Sequence, residues 1–121
     1  LLEWARRAGA ARFVLASSGG VYGHDDRPFV ETDRPAPSGE LGFYLGTKVC
    51  AEAMTASYGA FFPVAILRPF FIYGPGQEPG FLIPRLVRTV LAGDPIRLRG
   101  PDGMRLNPVH ADDAARAFVQ A

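Results

Sequence analysis

The sequence predicts an α/β fold built on a parallel sheet. Three observations carry this. "RFVLAS" (12–17) and the stretch Val64–Arg68 in "FPVAILRP" are short continuous apolar runs, as expected of strands buried on both faces. Each follows a segment with helical periodicity. Glycine and proline clusters punctuate the elements rather than fall inside them. Helix, buried strand, helix, buried strand implies right-handed crossovers, and ligands in such sheets bind outside the carboxyl ends of the strands.

The elements follow in order. "LLEWARRAGA" places Leu1, Leu2, Ala5 and Ala8 on one stripe, and Gly9 closes the helix. The strand of "RFVLAS" ends in Ser17-Ser18 and meets Gly19-Gly20, which is either a plain strand-to-loop exit or the delivery of a hydroxyl to a site. A long Pro- and Gly-rich loop follows, "YGHDDRPFVETDRPAPSGELG". Loops of such length are functional or disordered. "FYLGTKVCAEAMTASYG" is a helix on which Tyr44, Val49, Ala53 and Met54 fall at suitable spacing, with Gly59 at its end. The second strand runs out through Pro69 into the turn region "YGPGQEPG". "FLIPRLVRTVLAGD" is amphipathic, with Pro84 confined to the first turn and Gly93 as cap. "IRLRG" reads as a short strand and "MRLNPVH" as a second extended piece. Asp112 or Asp113 caps the last helix. The leading stripe has no capping residue before it, and the final stripe (Ala114, Ala115, Phe118, Val119) runs to the end. The segment is therefore expected to start and stop within helices of a longer protein.

Composition sets bounds. The 121 residues suffice for one domain, and 48% hydrophobic with 21% charged content is ordinary for a globular chain. With 13 Lys+Arg against 12 Asp+Glu, nothing electrostatic favours a nucleic acid or an anionic membrane as partner. Cys50 is the single cysteine, which excludes a disulfide framework and a multi-cysteine metal site. No apolar run reaches the ~20 residues of a membrane span. A cytoplasmic location is the expectation. Cys50 reads as a small buried helix residue, and Trp4, Phe61, Phe62 and Phe81 as core or covering residues. His24 reads as solvated and His110 as a packing and hydrogen-bonding residue. The arginines of "RLVRTVLAGDPIRLR" read as a solvated face.

Chemistry points to Tyr44 and Lys48, four apart and on one helix face. A free phenol titrates near pH ~10. An ammonium held beside it favours the phenolate. A serine hydroxyl could complete the set by hydrogen-bonding a substrate oxygen. A Y-x-x-x-K pair also occurs on ordinary amphipathic helices, where the lysine merely snorkels.

Order adds to spacing. A strand-end Ser-Ser, a long loop, Tyr-x-x-x-Lys opening a helix, a strand ending in "LRPFFIYGPGQ" and then "NPVHADDAA" together resemble the extended short-chain dehydrogenase/reductase family, the NAD-dependent epimerases and dehydratases. The resemblance spans nearly the whole chain. It implies part of a Rossmann-like, doubly wound parallel sheet over about 1–74, and part of the smaller C-terminal substrate-binding region over about 75–121. It implies NAD or NADP as cofactor, a sugar-like or other small substrate, and a homodimer formed through helices that include the Tyr-bearing one. By position, Ser18, Tyr44 and Lys48 match the catalytic residues, which implies that the first strand delivers Ser18 to the site and that Gly19-Gly20 leave room beside it. Ala16, Ser17, Tyr44, Lys48, Pro69 and Phe70 match residues of the cofactor pocket. Ser18, Phe71 and Arg105 fall at substrate-binding positions. The glycine-rich turn that grips the cofactor pyrophosphate would lie before Leu1.

Departures sharpen the expectation. Gly19 and Gly20 stand where sugar-nucleotide dehydratases of this family commonly carry an Asp-Glu pair. Phe71 stands where many sugar-nucleotide enzymes carry Asn, and Leu106 where many carry Arg; Arg105 is one position earlier. The expected activity is NAD(P)-dependent oxidoreduction or epimerisation at a hydroxyl or keto carbon. The alternative is a Rossmann-like module that holds a dinucleotide without turnover.

Overall fold

The computed structural model describes residues 1–98, 103 and 106–121. The chain divides into two compact units, Leu1–Phe70 with Ala117–Ala121, and Phe71–Arg116.

The first unit opens with α1 (Leu2–Arg7), which ends where the sequence places its stop. Gly9 adopts φ +68°. Its N–H donates to Arg6 O at 3.2 Å and that of Ala10 to Ala5 O at 3.0 Å, a Schellman closure that only a residue tolerant of positive φ makes cheaply. β1 (Phe13–Ala16) follows and pairs in parallel with β2 (Val64–Leu67), Phe13 opposite Val64 and Ala16 opposite Leu67. The connection between them contains a 3₁₀ turn (Gly19–Tyr22), the long loop, α2 (Gly42–Ser57) and a second 3₁₀ turn (Tyr58–Ala60).

The core of this unit gathers Ala5, Val21, Tyr22, Leu45 and Phe62. Phe62 stacks on both Phe13 and Tyr58, each with ring centroids 6.1 Å apart. The long loop is ordered by its own contacts. Ala36 N–H donates to Val21 O at 2.8 Å, Arg27 grips Asp33 with two bonds of 2.9 and 3.0 Å, and Phe29 stacks on Tyr22 at 5.0 Å.

In the second unit, β3 (Phe71–Tyr73) pairs in parallel with β4 (Pro108–His110). The sequence reading runs the previous strand out through Pro69 into the turn region and names no separate strand at 71–73. Pro69 lacks an N–H and ends that strand, and the chain resumes as a separate one. Pro108 sits at the first position of β4, where its missing donor costs least. α3 (Leu82–Leu91) carries Pro84 in its first turn and closes at Gly93 with the same two-bond motif as α1, Gly93 to Val90 and Asp94 to Thr89, both 3.0 Å. Ile96–Leu98 of the predicted "IRLRG" strand are not in a strand, and its remaining residues lie outside the described ones. α4 (Ala111–Gln120) begins two residues earlier than a cap at Asp112 requires. His110 stands at the cap position and its Nδ1 accepts the Asp112 N–H at 3.3 Å. Asp112 and Asp113 occupy the first turn, where carboxylates favour the helix dipole.

The burial expected of Cys50 fails, because a small apolar residue on a helix need not face inward. Cys50 is exposed. So are Trp4, Phe61 and Phe81, while Phe62 is buried. On α2 the buried positions are Leu45, Glu52 and Thr55, whereas Tyr44 and Met54 are exposed. Among the described residues no helix is long and apolar enough to cross a membrane, and no cluster of His, Cys, Asp or Glu could hold a metal ion.

Candidate functional site

The carboxyl end of β1 brings most of the candidate residues together. Ala16 is the last strand residue, and its carbonyl accepts a 2.9 Å bond from Lys48 Nζ. The same ammonium lies 5.5 Å from the centroid of the Tyr44 ring, one helical turn back along α2. Tyr44 is 46% exposed, so its phenol is open to a ligand. Ser18 caps the following 3₁₀ turn, its Oγ accepting the Gly20 N–H at 3.2 Å. A hydroxyl used as acceptor in this way keeps its own O–H free to donate.

The glycine pair does not leave open space beside Ser18, as the sequence reading expects. It permits close packing. A Cβ on Gly19 would stand 2.5 Å from the Phe70 ring, and one on Gly20 would stand 2.9 Å from Leu45 Cδ2 and 3.4 Å from Ser18 Oγ. Leu45 is the neighbour of Tyr44 in α2, so Gly20 is where the Ser18 hydroxyl and the start of the Tyr-bearing helix meet. Pro69 takes part through its carbonyl, which accepts the Gly19 N–H at 2.8 Å. Beside Gly20 opens a cleft of about 380 Å³ bounded by Gly23, His24, Ser38, Glu40, Leu41 and Leu45.

Ser17 has a different place from its neighbour. It is buried, 5% exposed, and its hydroxyl donates to Glu52 Oε1 rather than facing the cleft. Glu52, itself 6% exposed, is held in a fork by Arg68, whose Nε reaches Oε1 at 2.9 Å and Nη2 reaches Oε2 at 2.6 Å. The Arg68 guanidinium also donates to the Tyr22 hydroxyl at 2.7 Å and lies over the Tyr22 ring, 4.8 Å from its centroid. Arg68 holds the Glu52 carboxyl below its ordinary value, with help from the Ser17 bond and against the opposing effect of burial. In return, Glu52 raises Arg68 further above its already high value.

Sequence reasoning missed this network. Two signals could have found it. Glu52 continues the Tyr44–Lys48 spacing by one more turn, onto the face that meets the sheet. Arg68 ends an apolar strand, and a charge placed there needs a partner. Of the remaining candidates, Phe71 lies in β3 of the second unit, and Arg105 lies outside the described residues.

Two pairs of parallel strands, each joined through helices, make this an α/β protein, with a phenol and an ammonium one helical turn apart at the carboxyl end of β1. The NAD dependent epimerase/dehydratase family matches the chain over residues 1–121. The chain belongs to that family. It is 29% identical to a UDP-glucuronate 4-epimerase of Thermodesulfobacterium geofontis over 98% of the chain and 37% of that protein. It is 31% identical to the dTDP-D-glucose 4,6-dehydratase of Mus musculus, over 98% of the chain and 34% of that protein. Among solved structures, MoeE5 in complex with UDP-glucose and NAD superimposes with a TM-score of 0.79 at 37% identity, covering 98% of this chain and 40% of MoeE5. The chain thus spans little more than a third of the length of these relatives.

Proposed function

We propose that the chain carries the catalytic residues of an NAD(P)-dependent enzyme that oxidises, and in the epimerase case re-reduces, a hydroxyl-bearing carbon of a nucleotide sugar. The observation that carries this reading is the Lys48 ammonium, fixed on the Ala16 carbonyl beside the exposed Tyr44 ring at the carboxyl end of a parallel strand.

The residues present fit a dinucleotide cofactor. An ammonium has three donors, and Lys48 spends one on Ala16, leaving two for ribose hydroxyls. When bound, the nicotinamide supplies the hydride acceptor. The rest falls to this chain. The Tyr44 oxygen takes the proton of the substrate hydroxyl as the carbon–hydrogen bond is broken. Lys48 places positive charge beside the ring, which stabilises charge developing on the phenol oxygen. Ser18, its acceptor lobe already engaged by Gly20, donates its O–H to the substrate oxygen and orients it. On return of the hydride, Tyr44 gives the proton back. Epimerisation requires return to the opposite face of the ketone; a reductase stops after one transfer.

Two features support redox or epimerase chemistry over dehydration. No acid occupies positions 19 and 20, and the space a side chain would need there is filled by Phe70 and Leu45. The nucleotide-sugar assignment follows the relatives, since MoeE5 is described with UDP-glucose and NAD and is 37% identical.

The test is Tyr44→Phe in the full protein. The unsubstituted protein is expected to turn over one of UDP-glucose, UDP-glucuronic acid or dTDP-glucose, and Tyr44→Phe to lose that turnover while binding NAD with unchanged affinity in calorimetry. Full activity in Tyr44→Phe would overturn the role of the phenol. No turnover of any sugar nucleotide by the unsubstituted protein, with NAD bound, would favour the binding-module alternative.

A further inference from the structure

We propose that Glu52, braced by Arg68, is a positioning residue that fixes the Ser18 hydroxyl by clamping Ser17. The inference rests on the catalytic reading of Ser18 and Tyr44 given above.

Ala16 and Ser17 stand in sequence at the carboxyl end of β1, and successive turns of α2 meet these two residues. Lys48 holds the carbonyl of Ala16 at 2.9 Å. Glu52, one turn further along the helix, takes the hydroxyl of Ser17. Ser18 comes next, with its O–H left for a ligand, and Tyr44 is one turn back from Lys48. The segment is also tied across to the exit of β2. Ser17 N–H donates to Leu67 O and Gly19 N–H to Pro69 O, both at 2.8 Å. Arg68 lies between those two acceptors and sends its guanidinium to Glu52. One carboxylate therefore joins the ends of both strands to the helix that bears the phenol.

Stability alone does not call for this arrangement. A buried ion pair can often be replaced by apolar residues at little or no cost to stability. What an apolar contact cannot do is set direction. The Ser17–Glu52 bond fixes the azimuth of the strand end, and the next residue along carries the hydroxyl that must meet the substrate oxygen. A misplacement of about 1 Å at a reacting centre can cost ~10²-fold in rate.

The experiment uses Ser17→Ala and Glu52→Gln in the full protein, each alone and combined with Ser18→Ala. UDP-glucose, UDP-glucuronic acid and dTDP-glucose serve as probes, and amide hydrogen exchange is read at Gly19 and Gly20. Each single variant is expected to lower kcat by about ten- to hundredfold per folded molecule. NAD affinity is expected to stay unchanged, because Lys48 keeps its hold on Ala16. Exchange at the Gly20 amide, which reports the Ser18 cap, is expected to quicken. In the Ser18→Ala background neither substitution should lower kcat further, since both act through that hydroxyl.

Ser17→Ala leaves the Glu52–Arg68 pair intact, so it decides the matter even where Glu52→Gln fails to fold. Undiminished kcat in Ser17→Ala, or losses that multiply independently with Ser18→Ala, would overturn the positioning role. If either occurs while Tyr44→Phe is inactive, the clamp alone is refuted. Full activity in Tyr44→Phe or Ser18→Ala would instead remove the catalytic reading, and the clamp with it.

Discussion

Lys48 reaches from the second turn of α2 to the last residue of β1, its ammonium donating to the Ala16 carbonyl at 2.9 Å. That bond ties the helix carrying Tyr44 to the strand that delivers Ser18. Lys48→Met is expected to weaken NAD binding at least tenfold and to lower kcat by ~10²-fold or more. Lys48→Arg should not restore it, because a planar fork does not reproduce a compact ammonium at a backbone carbonyl. Calorimetric titration with NAD and steady-state turnover of a UDP sugar check both. Wild-type cofactor affinity in Lys48→Met would contradict the role of the ammonium.

Gly19 is required by the aromatic ring above it. With a Cβ only 2.5 Å from Phe70, Gly19→Ala must displace the ring or the turn. Overpacking of this kind costs ~1–3 kcal/mol. Gly20→Ala meets the end of a Leu45 side chain and should cost less. Urea denaturation of the two variants gives the ranking. Gly19→Ala combined with Phe70→Ala should recover most of the loss if the ring is the obstacle.

Gly23 poses a different requirement. Its φ of +80° lies where L side chains are strained, and an added Cβ would stand 2.4 Å from the carbonyl oxygen of Ala36. That residue closes the base of the long loop through its bond to Val21. Gly23→Ala is expected to destabilise by at least ~1–2 kcal/mol and to raise proteolytic cleavage within 23–41. Limited proteolysis that leaves the loop as resistant as before would count against it.

Acid should act through Glu52. Arg68 holds this carboxyl below its ordinary value of 4.5. A carboxyl with a lowered value in the fold stabilises fully above its unfolded value and loses that contribution as pH falls through the folded one. Removing one partner of such a buried pair costs ~3–5 kcal/mol. Glu52→Gln should therefore melt below wild type at neutral pH, with a constant gap down to about pH 4.5 that narrows on further acidification. Melting curves across that range test the sign; a gap that widens as pH falls would refute it.

The parts of the fold set by local chemistry are legible in the sequence. Gly9 and Gly93 end helices because positive φ is cheap only for glycine, and both closures appear at the expected residues. The apolar runs around Leu15 and Ile66 become parallel partners. Tyr44 and Lys48 share a face because helical geometry leaves no choice. What depends on long-range partners was not legible. β3 exists only because Pro108–His110 return to pair with it. Cys50 looks like a buried residue and is exposed, since hydrophobicity does not say which side of an element finds a neighbour. Ser17 looks like a second pocket hydroxyl until Glu52, far along the chain, claims it.

The parallel register that sets Phe13 against Val64 has a kinetic meaning. Antiparallel neighbours can zip from a tight turn, but these strands meet only after the whole intervening loop and α2 have been drawn in, and that closure entropy is paid before any pairing rewards it. A nascent or refolding chain can hold its helices early while the alcohol, phenol and ammonium remain strangers, so recovery of turnover should lag behind recovery of helical signal.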